Sequence, residues 1–434
     1  MKLFQLIQLS VKYLYRNLRR YFFLLLAVGF GFCIVTLITS LSDGMTDSVY
    51  YSAQAHYAGD IMIAGYKNAT GTRQRISETN QVLQAISAAH VNPAHIVQRT
   101  IFPEQGMLFY NGIAVRQKYV IGVDWQNETE YFRNLNWDVP VKGNLSDGDA
   151  IISDPVAREF KAQVGDQITL EVETETGQKN TGVFIIRGIV KDSTIFGYYK
   201  CYLSRAALNR LLLFSPEECS IIGIYLRSRG AVEKAELSLQ AEMEKALFTS
   251  PLVADRGEFR GRREEPWQGI RHFVLTLAVQ LSEVSDLLRA MQLITYFLYA
   301  MMLLIILVSA TVTYRLILRE RTREIATMRA IGFYEGDIRI ILLFEVFFLC
   351  IIAVAAGYAA AMFFAWLASF LPFDWMPSFE IFMKNGRLEA LFLPATVLLN
   401  VFLVLSILIP AVWFPAFAVS RNPLPEMLSG GGRV

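Results

Sequence analysis

No residue pattern in this sequence spells out a catalytic centre. Histidine and cysteine are scarce, four of each in 434 residues. There is no G-x-x-x-x-G-K-[ST] phosphate loop, so ATP hydrolysis is not assignable by motif, and neither H-E-x-x-H nor G-x-S-x-G occurs. Of His56, His90, His95 and His272, just the pair His90 and His95 has a spacing that invites a metal, and the Asn92-Pro93 between them marks a surface loop. The expectation is therefore no metal and no cofactor of the chain's own. Charged residues make up 18% and the net charge is +2, which gives no footing for a nucleic-acid partner. Internal repeats and low-complexity segments are also missing.

What is abundant is apolar surface, at 53% of residues, gathered at the N-terminus and in the last third. A bilayer core takes about 20 apolar residues as a helix. Phe22 to Leu41, Met291 to Tyr314, Ile338 to Leu371 and Leu388 to Phe417 each qualify, the last interrupted by Pro394, Pro410 and Pro415. The first run follows a long basic segment and is not followed by a small-residue cleavage site, so it reads as an uncleaved anchor. Lys2, Lys12, Arg16, Arg19 and Arg20 precede the first span; Arg315, Arg319, Arg321, Arg323, Arg329 and Arg339 fill the link between the second and third. The link between the third and fourth carries Lys384 and Arg387. By the positive-inside rule both termini and the second-to-third link are cytoplasmic, and the long middle region lies outside. The organisation expected is 1–41, a cytoplasmic amphipathic segment and first span; 42–289, an outer α+β domain with stalk helices at Ser42 to His56 and Gly269 to Arg289; and 290–434, three further spans and a cytoplasmic tail.

The outer region alternates short strands and helices. Strands are expected at Asp60 to Ala64, Ala150 to Ile152, Gln167 to Glu173, Val183 to Val190, Tyr198 to Leu203 and Ile221 to Leu226. Gly106 to Tyr110 and Ile113 to Val123 flank Asn111-Gly112, a hairpin signal because a tight turn needs positive φ. Helices are expected at Glu78 to Ala89, Asp154 to Phe160, Ser204 to Leu213 with Ser204 as N-cap, and Val232 to Phe248. Asp255 to Glu265 is densely charged and reads as a solvated loop, with helix resuming near Ile270. Cys33 and Cys350 fall in spans. Cys201 and Cys219 fall outside, where a disulfide persists if geometry allows one, and form the candidate pair.

The most informative segment is the second-to-third link, 319–332. It has helix-forming composition closed by Gly332. Ile325, Met328 and Ile331 recur at helical spacing among Arg321, Arg323, Glu324 and Arg329, a narrow apolar face suited to a groove on a cytoplasmic partner. The plainer reading is that these arginines set topology and meet lipid headgroups. Glu345, about two turns into the third span, is a candidate because intramembrane ionisable residues are costly; the plainer reading is a side chain that snorkels or pairs with Arg339.

The run Glu320-Arg321-Thr322-Arg323-Glu324-Ile325-Ala326-Thr327-Met328-Arg329-Ala330-Ile331-Gly332-Phe333 resembles the signature of the FtsX/MacB/LolC-type ABC permease family, with Glu345 matching an early Glu of the next helix. Tyr15-Arg16-Asn17-Leu18, the outer stretch from Gly148 to Leu203 and the tail from Pro415 to Leu428 resemble the same family, and the layout is most like the lipoprotein-releasing LolC/LolE-like permeases. The resemblance implies a bacterial inner-membrane permease with a MacB-like periplasmic domain. It implies partners as well: a cytoplasmic ABC ATPase dimer that binds the ATP, a second identical or related permease chain, membrane lipids, and lipoproteins or a periplasmic carrier. The mechanism implied is mechanotransmission from the link, as coupling helix, to the outer domain. Competing readings are MacB-like efflux, an FtsX-like regulator of cell-wall hydrolases, and a membrane-anchored enzyme.

Overall fold

The computed structural model describes residues 3–16, 18–67, 74–133, 135–191, 199–371, 382–383 and 387–420. In chain order the helices are α1 (Leu3–Arg16), α2 (Leu18–His56), α3 (Thr79–Ala88), α4 (Thr129–Arg133), α5 (Asp154–Phe160), α6 (Arg205–Leu212), α7 (Val232–Ala246), α8 (Arg256–Glu264), α9 (Leu277–Gln280), α10 (Ser282–Glu320), α11 (Thr322–Ala330), α12 (Glu335–Ala368) and α13 (Pro394–Ser420). The strands are β1 (Ile61–Lys67), β2 (Pro93–Tyr110), β3 (Ile113–Val123), β4 (Trp137–Val139), β5 (Asp149–Ser153), β6 (Gln167–Glu173), β7 (Lys179–Val190), β8 (Lys200–Ser204), β9 (Ile221–Leu226) and β10 (Ile270–Thr276). They divide between two compact units. A membrane unit takes Met1–Thr46, Leu288–Leu371 and Leu388–Val434; an outer unit takes Asp47–Leu287 with Pro372–Arg387.

In the membrane unit, α2, α10, α12 and α13 are the four helices, among the described residues, long and apolar enough to cross a bilayer. Pro394 does not interrupt the last span but opens it, where its missing N–H costs nothing; Pro410 and Pro415 lie inside the helix. The core joins Tyr21, Val28, Phe32, Ile306, Ala310, Leu342, Leu349, Val404 and Leu408. Few polar links cross it. Asn400 donates to Thr39 at 3.0 Å, Thr396 to Asp43 at 3.0 Å, and Thr295 to Ser42 at 3.3 Å, tying α13 and α10 to α2. The amphipathic α1 lies against α12, its Ser10 hydroxyl donating to the Ile341 carbonyl.

The outer unit is built on a ten-stranded sheet in the order β10-β1-β9-β2-β3-β8-β5-β7-β4, with β6 pairing β2 and β7. Strand β1 reads Ile-Met-Ile-Ala-Gly-Tyr because both of its faces are covered. Ile61 and Ile63 meet Val82, Ile86, Leu239 and Met243 from α3 and α7. Met62, Ala64 and Tyr66 point the other way, into a cluster with Phe259 of α8. Farther along, β2 pairs β3 and β6, β6 pairs β7, β7 pairs β5, β5 pairs β8 and β8 pairs β3, so six strands close into a ring. Its interior holds Leu108, Val120, Ile152, Leu170, Ile186 and Leu203. The β2–β3 hairpin turns through Asn111 and Gly112 at φ 49° and 79°, as the dipeptide required. Ser204 caps α6, its hydroxyl oxygen accepting from the Ala207 amide at 3.1 Å.

Two expectations are corrected. The charged stretch after Asp255 is helical: the Asp255 carboxylate accepts from the Glu258 amide at 2.8 Å, and Phe259 anchors α8 in the core. The residues from Ile270 form an edge strand, β10, antiparallel to β1 with Ile61 opposite Thr276, so the second stalk is helical from Leu277 onward and not from Gly269.

Candidate functional site

Helix α10 ends at Glu320 and α11 begins at Thr322, leaving Arg321 at the joint as the α11 N-cap residue. The α11 end is a Schellman motif: Gly332 sits at φ 103° and the Phe333 amide donates to the Met328 carbonyl at 3.1 Å. Glu335 and Asp337 then open α12, where acidic residues favour the positive helix end.

The joint turns Arg321 inward. Its guanidinium donates through Nη1 and Nη2 to both carboxylate oxygens of Glu345, the latter at 3.2 Å, and through Nη1 to the Tyr21 hydroxyl. Tyr21 in turn donates to Glu345 at 2.7 Å. Arg321 Nε donates to Glu324 at 3.2 Å, and the guanidinium carbon stands 5.6 Å from the centre of the Tyr13 ring. The side chains of Arg321 and Glu345 are 2% and 1% exposed, so this is a buried, bidentate ion pair supported by further bonds from Arg321 to Tyr21 and Glu324. It fastens α11 to three other helices: α2 through Tyr21, α12 through Glu345 and α1 through Tyr13. Closer to the surface Arg20 pairs with Glu324 at 2.8 Å. Partial burial works against the charge of Glu324, yet the bonds from Arg20 and Arg321 hold its carboxyl below the usual range.

The candidate residues of the link are thus divided. Arg321, Ile325 and Met328 are buried in the membrane unit's own core, together with Ala326. Two of the three residues of the stripe read as a partner-facing surface, Ile325 and Met328, are occupied at home, because an apolar stripe at helical period seeks the nearest core. Arg323, Thr327, Ala330, Ile331 and Gly332 are exposed, Ile331 at 74% and the neighbouring Tyr334 at 81%. Arg329 is half-buried and pairs with Glu335 at 3.4 Å. Glu345 neither snorkels nor pairs with Arg339, which lies 3.2 Å from Glu335 and over the Phe417 ring. Sequence reasoning missed Tyr21, whose signal was a polar aromatic directly after Arg19 and Arg20 at the start of an apolar run.

The candidate disulfide is corrected. Cys201 and Cys219 are free thiols buried in different cores, Cys201 inside the strand ring and Cys219 beside β1 and α3. Burial pushes the thiols up to about 12 and about 11. Among the described residues no group of three or more His, Cys, Asp or Glu is placed to hold a metal. Asn17 of the N-terminal motif, Arg421 to Leu428 of the tail motif, Asp192 to Tyr198 of the outer stretch and Lys384 lie outside the described residues.

The MacB-like periplasmic core domain matches residues 21–242, and the FtsX-like permease C-terminal domain matches residues 296–424. The chain belongs to the FtsX/MacB type of ABC transporter permeases, as a multi-pass membrane protein with four membrane helices and an α+β MacB-like domain. No individual curated protein matches it. The crystal structure of the periplasmic region of MacB from Actinobacillus actinomycetemcomitans aligns at 11% identity over 54% of this chain and 96% of its own, with a TM-score of 0.32. A domain of a Porphyromonas gingivalis protein described as a permease aligns at 12% identity over 51% and 90%, with a TM-score of 0.27. Likenesses at that level carry no weight beside the two domain models.

Proposed function

We propose that the chain couples ATP hydrolysis by a separate cytoplasmic ATPase to movement of its outer unit, and that the cargo is an acylated protein released from the inner membrane. The supporting observation is the fastened link helix. A short helix held by a buried ion pair to α2 and α12, with Arg323, Thr327, Ile331 and Tyr334 free at its surface, is a rigid handle. A push on that surface reaches α2 and α12 through Tyr21 and Glu345 without passing through a flexible loop. The 434 residues contain no phosphate loop, in keeping with hydrolysis by a separate subunit.

In this reading both termini and α11 face the cytoplasm, and the outer unit faces the periplasm, in keeping with the basic residues around α1 and α11. Exposed Leu293, Tyr296, Phe297, Leu304 and Val312 leave α10 to lipid or to a second permease chain. Purification of the complex from native membranes, followed by mass spectrometry of every bound protein and lipid, tests the proposal. An ATPase together with an acylated protein is the expected result. An ATPase with a bound peptide or drug instead would favour efflux, and a cell-wall hydrolase would favour the regulator.

A further inference from the structure

The outer unit holds a cavity of about 290 Å³ that the coupling mechanism does not use. Met62, Ile101, Ile121 and Phe259 supply apolar surface to its lining. Arg256, Phe259 and Arg263 reach it from one face of α8, at helical spacings of three and four residues. The two arginines differ in their partners. Arg256 lies 3.3 Å from a Glu283 carboxylate oxygen and donates to the Tyr57 hydroxyl at 3.4 Å. Arg263 is half-buried, its guanidinium carbon 4.3 Å from the centre of the Tyr66 ring and 5.6 Å from that of Phe259. Among the described residues no carboxylate pairs with it. Stacking on aromatic faces leaves the N–H fork at the guanidinium edge free for a ligand. Gln280 also lines the cavity; the residue is 4% exposed, and its side-chain amide makes no hydrogen bond among the described residues.

A cation with no carboxylate partner among the described residues, and an amide, beside apolar lining side chains define complementary chemistry. We propose that this cavity binds an amphipathic carboxylate, its head on Arg263 and Gln280 and its apolar body on Met62, Ile101, Ile121 and Phe259. A fatty acid and the carboxy-terminal end of an apolar peptide share that chemistry. The proposal goes beyond the permease reading and does not rest on it, since every residue named belongs to the outer unit.

The test uses the full chain in lipid nanodiscs and follows hexanoate, which is short enough to stay in water, by saturation-transfer NMR and calorimetry. Saturable binding of hexanoate is expected, at least tenfold tighter than acetate or hexanol, with hexylamine excluded. Arg263→Gln should weaken hexanoate about tenfold, the scale of one lost hydrogen bond to a charged group. Arg260→Gln, on the exposed side of the same helix and paired with Glu283, should leave binding unchanged. Arg263→Lys, which keeps the charge, should retain part of the affinity, so that loss in the Gln variant cannot be ascribed to misfolding. N-acetyl-leucine is measured alongside: tighter binding of it than of hexanoate assigns a peptide source, and the reverse a lipid source. Equal binding of hexanoate and hexylamine, unchanged affinity in Arg263→Gln, or no saturable binding of either carboxylate would overturn the proposal.

Discussion

Replacing Glu345 by Gln tests the joint between α11 and the membrane helices most directly. The carboxylate accepts from both terminal nitrogens of Arg321 and from the Tyr21 hydroxyl, and it is 1% exposed. The amide keeps the volume but removes the charge, leaving the Arg321 guanidinium buried without its main counter-ion. Breaking a buried pair from one side costs about 3–5 kcal/mol. Glu324 remains on Arg321 Nε but is 36% exposed, so solvent screens it and it returns a small part. A loss of about 3 kcal/mol is expected, a fall in Tm of about 6–12 °C for a cooperative unit of this size. Arg321→Met should cost a similar amount by stranding the carboxylate. The double variant Arg321→Met with Glu345→Met removes both charges and should lose no more than about 1 kcal/mol, chiefly the stranded Tyr21 hydroxyl. Thermal unfolding in nanodiscs of wild type, Arg321→Met, Glu345→Met and the double variant closes the cycle and gives the coupling energy, and ATPase stimulation measured on the same samples gives its consequence for function. Single variants as stable as wild type, or a double variant whose loss is the sum of the two, would show that the pair is not the fastening described.

The division of α11 into a buried and an exposed face separates two substitutions. Ile331→Asp, at an exposed site, should abolish co-purification of the ATPase while leaving Tm within about 1 °C, whereas Met328→Asp should destabilise the permease itself by burying a charge. Because burial raises the Cys201 and Cys219 thiols well above pH 8, both should resist a charged thiol reagent at that pH, becoming reactive as thiolates only when unfolding returns them to the ordinary range. Mass spectrometry after denaturation should then count four free thiols, and a count of two would restore the disulfide. A cysteine introduced at Lys179 in a cysteine-free background should label from outside intact spheroplasts and one at Thr322 only after lysis; labelling of Thr322 from outside would invert the topology.

Much of the outer unit was legible because local signals and tertiary burial agree there. Ile61 to Ala64, the Asn111-Gly112 turn and the Ser204 cap each carry their own instruction. The misses fall where tertiary pairing decides. Ile270 to Thr276 contains Arg271 and His272 and adjoins an apolar helix, so nothing local says that it will pair with β1 from the far end of the domain. In α8 a single apolar residue, Phe259, fixes the helix, and a hydrophobic pattern cannot be read from one position. The spacing of Ile325, Met328 and Ile331 correctly marked a helix but could not say whether its stripe met a partner or its own core. Glu345 was visible as an oddity in an apolar run. Its true partner was hidden, because Arg321 reaches it through a break in the helix that sequence periodicity does not register.

The pairing of β1 with β10 also bears on biogenesis. The first strand made after the first membrane helix acquires its outer neighbour from the last strand made before the second. Until that final segment leaves the ribosome, β1 presents an open, apolar edge of the kind that pairs with any available strand. Contacts so distant in sequence form late and slowly. A nascent chain stalled anywhere between the two strands is therefore an aggregation hazard, and the cell must either shield that edge or translate through the interval without pause.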